Sequence, residues 1–122
     1  MIYEIGMLCK HFKGANLLEK NIYRIEDWGV SGTNINSDIV TYTGDGILEE
    51  ATNLVVYSNI FQEGKMFARE YEDISSELSD EKKREFGQIL KVQPLTEEEI
   101  NLVNSPEFVK EKKAKVLAKF KK

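Results

Sequence analysis

A mainly β chain with helices added toward its C-terminal end, an α+β fold, is predicted by three observations. Up to about Tyr71 the residues favour strands, with Ile, Val, Tyr, Phe and Thr in short runs broken by glycine- and asparagine-containing turns. From about Ser79 onward the start signals are those of helices. Strands come first and helices after, without the alternation that builds a parallel sheet. The 122 residues, 41% apolar and 31% charged, match an ordinary globular composition and are enough for one hydrophobic core. The expected division is a β domain over residues 1–78 and a helical extension over residues 79–122.

Residues 21–28 set Ile22, Tyr23, Ile25 and Trp28 among charged side chains, the pattern of a strand with one wet side. Residues 39–43 form a shorter candidate strand. Gly29, Gly32, Asn34, Asn36, Gly44 and Gly46 punctuate this stretch and supply the positive backbone angles of turns, which predicts a long hairpin. The clearest strand spans residues 53–61: Leu54, Val56 and Ile60 face one way, Val55, Tyr57 and Phe61 the other, so both faces are expected to be covered. Gln62, Glu63 and Gly64 then read as a three-residue hairpin loop leading into a strand over residues 65–71.

Ser79 caps a helix whose first turn carries Asp80 and Glu81, acidic residues suited to the positive end of the helix dipole. Thr96 and Glu99 have the spacing of a capping box, and Ser105 precedes a proline at the first helical position, Pro106. Three helices are predicted, over residues 80–88, 96–103 and 106–120.

Charge is distributed unevenly. Residues 110–122 carry seven lysines and one glutamate, +6, whereas the remainder carries 10 basic and 20 acidic residues, −10. Cys9 is the single cysteine, so no intrachain disulfide forms and no Cys/His zinc set can begin, which points to a reducing compartment. The N-terminal residues lack a basic stretch followed by a long apolar run, and no window approaches the ~20 apolar residues of a membrane span. A cytoplasmic protein without membrane insertion is expected.

His11-Phe12-Lys13-Gly14, Tyr23, the Leu54-Val55-Val56-Tyr57 run and Phe67 with Arg69 together resemble a bacterial family, domain of unknown function 1653, over roughly residues 6–86. The resemblance implies a small SH3-like barrel with the HFKG element on its first strand and no established activity. Glu70 stands where that family places proline, Phe67 where it places tryptophan, and the excursion over residues 30–46 is longer than its norm.

No catalytic constellation assembles. His11, the single histidine, shares a strand face with Lys13 and, by period two, with Cys9. A structural, hydrogen-bonding role is the preferred reading of His11, and an intramolecular ion pair that of Arg69. If His11, Lys13, Tyr57 and Arg69 converge, they form a mixed aromatic and cationic patch for an anion or peptide. A Cys9–His11 nucleophile pair lacks an orienting carboxylate and an oxyanion hole. The carboxylate clusters Glu49-Glu50, Glu70-Glu72-Asp73 and Glu97-Glu98-Glu99 lack a calcium-type loop and read as solvated faces, while Gly44-Asp45-Gly46 lacks a phosphate-loop pattern. No metal or cofactor is expected.

Helical spacing puts Val109, Val116 and Phe120 on one stripe of the last helix with Leu117 beside it, and makes Lys112, Lys113, Lys115 and Lys119 the expected contacts of its basic face. Docking of that stripe on the chain's own body is preferred. The first functional expectation is a non-catalytic binding module for a protein, peptide or anionic ligand. A nucleic-acid-associated protein comes second, since the −10 body repels phosphates, and a small thiol enzyme using Cys9 and His11 third.

Overall fold

Strand β4 (Leu54–Asn59) lies in the interior of the sheet because its side chains are apolar on both sides, and the structure buries Leu54, Val55, Val56 and Tyr57. This computed structural model describes residues 2–36, 38–42 and 48–120. Around β4 run β1 (Leu8–His11), β2 (Ile22–Val30), β3 (Val40–Tyr42), β5 (Met66–Glu70) and β6 (Val92–Pro94), in the order β3-β5-β4-β2-β1-β6. The helices are α1 (Tyr71–Ile74), α2 (Asp80–Phe86), α3 (Glu97–Val103) and α4 (Pro106–Phe120). All pairings are antiparallel except β3 with β5.

The mixed α+β class agrees with the prediction, whereas the described strands form an open sheet with β3 and β6 at its two edges rather than a closed barrel. The expected long hairpin is not formed either: β3 does not return along β2 but crosses to the far edge and pairs in parallel with β5, Val40 against Phe67. Asn34 and Asn36 keep negative φ, and Gly32 serves a close approach rather than a turn, since a Cβ there would fall 1.6 Å from the Leu48 carbonyl oxygen. Gly44, Gly46 and Thr43 lie outside the described residues. The loop between β4 and β5 covers residues 60–65, longer than the three residues predicted, with Gly64 at φ 78°.

The helices follow their start signals. Ser79 accepts from the Lys82 N–H, Thr96 and Glu99 close the reciprocal capping box, and Gly87 in the left-handed conformation (φ 62°) stops α2 at Phe86. The expected boundary between residues 78 and 79 nevertheless runs through the sheet. Strand β6, from the span read as purely helical, pairs with β1, Lys10 opposite Gln93. One sheet face carries Cys9, Tyr23, Ile25, Val55, Tyr57 and Val92, covered by Tyr3 and Ile74. On the other, Ile22 meets Leu95, Val103 and Phe108, so α3 and α4 complete the second half of the core.

Buried lysines reinforce this join. Lys10 on β1 pairs with Glu99 of α3 at 2.6 Å. Lys20 donates to the carbonyls of Phe12 (2.8 Å) and Phe86 (3.0 Å) and to Gln88 Oε1 (3.2 Å), while the Gln88 amide donates to the carbonyls of Lys10 and Leu90. A buried ammonium is tolerated only when its donors are satisfied, and here they are.

Candidate functional site

Three of the four residues expected to form a front patch do share one sheet face: His11 at the end of β1, Tyr57 in β4 and Arg69 in β5. Tyr57, however, is only 3% exposed, with its ring 4.6 Å from Tyr23 and 5.7 Å from Phe67, so it belongs to the aromatic core. The half-buried His11 ring stacks on Phe12 at 4.8 Å and meets the edge of Tyr23 at 6.4 Å. Its Nδ1 accepts from the Lys13 N–H at 3.3 Å. Burial, and then the nearby Arg69 and Lys13 charges, push His11 down to about 4, leaving a neutral ring at physiological pH. Arg69 reaches Asp73 at 3.8 Å, and Lys91 holds the same carboxylate at 2.7 Å. The face thus packs and pairs internally.

Lys13 keeps its ammonium 6.0 Å from the centre of the Phe12 ring, beside His11, and also borders a second region. The chain between β1 and β2 folds back on itself at Gly14 (φ 125°), where a Cβ would press on the backbone of Glu19 and Lys20 at 3.0 Å. The following turn is held by the N–H groups of Glu19 and Lys20 donating to the Asn16 carbonyl, each at 3.0 Å. Its end presents carbonyl oxygens outward, and α4 docks there through Lys112, which is 4% exposed. The Lys112 ammonium donates to the carbonyls of Leu17 (3.3 Å), Leu18 (2.6 Å) and Lys20.

This docking creates a cavity of about 540 Å³ between α4 and the β1–β2 connection. Lys13, Lys112, Lys115 and Lys119 line it with the amides of Asn21 and Gln62, and Glu19 is its only acidic lining residue. Four lysines against one glutamate give the groove a charge of +3. The Glu19 carboxylate is tied to the loop by the Ala15 N–H at 3.2 Å. Burial first, then Lys119 and Lys115, lower Lys112 to about 8, so the ammonium groups on the α4 wall of the groove feel one another along the helix. An arrangement of mutually repelling cations around an open volume is stabilised by an anion.

No family model, curated protein or solved structure matches this chain.

The lysines of α4 thus divide. Lys112, Lys115 and Lys119 line the groove together with Lys13, whereas Lys113 does not. The expected inner stripe is also revised: Phe108 and Lys112 are its buried members, Val109 and Val116 are half-buried and Leu117 is 58% exposed. The side chain of Phe120 lies outside the described residues. Sequence reasoning passed over Gly14, Asn21 and Gln62, which reach the groove only through chain folding. The grouping of Lys112, Lys115 and Lys119 at helical spacings of three and four was a readable signal.

Cys9 is fully buried, and burial pushes its thiol up to about 12. A thiol so placed is protonated at neutral pH and inaccessible to substrate. Among the described residues, no group of three His, Cys, Asp or Glu side chains is placed to hold a metal ion, and no helix is long and apolar enough to cross a membrane.

Proposed function

We propose that this protein is a non-catalytic binding module whose ligand is anionic and occupies the groove between α4 and the β1–β2 connection. The observation that carries this reading is the convergence of Lys13, Lys112, Lys115 and Lys119 on one cavity in a chain whose net charge is −4. Lysines brought together repel one another, and that cost is recovered when an anion enters. The volume also falls in the range of about 300–1,000 Å³ typical of small-ligand sites.

Several features support the module over an enzyme. The thiol of Cys9 is sealed in the core, and the only histidine is held neutral by its packing. Membership of the domain of unknown function 1653 family belongs to the same proposal and rests on the HFKG and Leu-Val-Val-Tyr elements, while the open sheet departs from the SH3-like barrel that the resemblance implies. The single cysteine, buried and reduced, accords with a cytoplasmic setting. A nucleic-acid strand is the less favoured partner, because the groove lining contains no aromatic ring on which bases stack.

Amide NMR during a sulfate titration tests the reading. Signals of Lys13, Gly14, Asn21, Gln62 and Lys115 shift together, Lys13→Ala reduces those shifts, and Arg69→Ala leaves them unchanged. If the moving amides instead surround Arg69 and His11, or if Lys13→Ala has no effect, the groove is not the binding site.

A further inference from the structure

Building on the anion-site reading, we propose that the groove takes a compact, multiply phosphorylated small molecule. The donor set fits this chemistry through charge density. Every cation lining the cavity is a lysine, a compact point charge with three rotatable donors that binds phosphate oxygens, and a chain of phosphates places more negative charge in a small volume than carboxylates do. Point charges arranged around a volume suit tetrahedral phosphates, whose oxygens diverge in several directions.

Charge count favours more than one phosphate. The lining carries four lysines and one glutamate, +3, and only the Lys112 ammonium is already engaged by protein carbonyls. Lys13, Lys115 and Lys119 are exposed residues on opposite walls of the cavity, Lys115 and Lys119 on α4 and Lys13 on the facing connection, where its ammonium lies 6.0 Å from the Phe12 ring centre. A chain of phosphates offers negative charge to both walls at once and matches the +3 lining more closely than one phosphate does. The amides of Asn21 and Gln62 add neutral donors beside them. The lining offers no aromatic platform, so affinity resides in the phosphates and not in a nucleobase. A cavity of about 540 Å³ also bounds the ligand to a small molecule.

Calorimetric titration of the full chain at fixed ionic strength compares four probes: inorganic phosphate, tripolyphosphate, pentaglutamate and a 12-nucleotide oligothymidylate. Two double variants of α4 remove the same charge from opposite faces, Lys115→Gln with Lys119→Gln inside the groove and Lys110→Gln with Lys113→Gln outside it. Tripolyphosphate is expected to bind about tenfold more tightly than phosphate or pentaglutamate, and to lose about tenfold with the groove variant but under about twofold with the outer one, the size expected when charge-assisted hydrogen bonds are removed. Equal binding of pentaglutamate and tripolyphosphate, both weakened by the groove variant, overturns the phosphate assignment while the anion site stands. Phosphate binding as tightly as tripolyphosphate overturns the multiplicity. Tighter, steeply salt-dependent binding of the oligothymidylate overturns it in favour of a nucleic-acid backbone. Absence of binding by every probe removes both the proposal and the anion site beneath it.

Discussion

His11 shows how one side chain changes meaning between sequence and structure. Its ring is packed between Phe12 and Tyr23, and burial together with neighbouring cations lowers its pKa from 6.5 to about 4. The unfolded chain therefore binds the proton more readily between those values. Stability from this residue is fully present above pH 6.5 and is lost as pH falls toward 4, by an upper bound of roughly 3 kcal/mol at 1.36 kcal/mol per pH unit. Denaturant titrations at pH 7 and pH 4.5 check this: His11→Gln is expected to lose less stability on acidification than the parent protein. An identical loss in both would show that the carboxylates alone govern the acid response. The structural role of His11 was legible from its place among aromatic and strand-forming residues. That Tyr57 is core was legible too, from the two-sided apolar run around it, but its union with a surface patch was not excluded until the register set it opposite Ile25 and Phe67.

At the scale of the element, α4 is the informative case. Its inner line contains a lysine where an apolar residue is expected, because the surface it meets is a row of backbone carbonyls at residues 17, 18 and 20. Replacing Lys112 by methionine keeps the apolar stem but strips the carbonyls of their donor, at an expected cost of about 1–3 kcal/mol. Lys113→Met, on an exposed position of the same helix, is expected to stay within about 0.5 kcal/mol. Urea denaturation of the two variants makes the comparison, and equal effects would refute the anchoring role of Lys112. Helix starts were readable because Ser79, Thr96 and Pro106 act locally on the backbone that follows them, whereas α2, predicted to run to residue 88, ends at Phe86 and α1 was not predicted. The partner of β3 was not: parallel pairing with β5 depends on a crossover that no neighbouring residue encodes. Gly32 belongs to the same class, since its reason is the Leu48 carbonyl against which it packs.

For the whole molecule, the sequence divides more sharply than the structure does. A composition boundary near residue 79 separates strand-forming from helix-forming segments, and local propensity alone suggests two units. Burial contradicts independence. Ile22 of β2 packs with Leu95, Val103 and Phe108, β6 pairs with β1, and Lys10 and Lys20 each bond to groups beyond residue 79. Neither span has a complete core without the other, and exposing Ile22 together with Phe108 would cost several kcal/mol at about 25 cal/mol per Å² of apolar surface. The chain is therefore expected to unfold in one cooperative transition. Trp28, the only tryptophan, sits in β2 and reports the front span by fluorescence, while α2, α3 and α4 dominate the far-ultraviolet helical signal of the rear span. Superimposable urea curves from the two probes are the expected result. Loss of the helical signal at a lower urea concentration than the Trp28 transition would mean that the rear span detaches first, and that the groove at their junction opens before the sheet does.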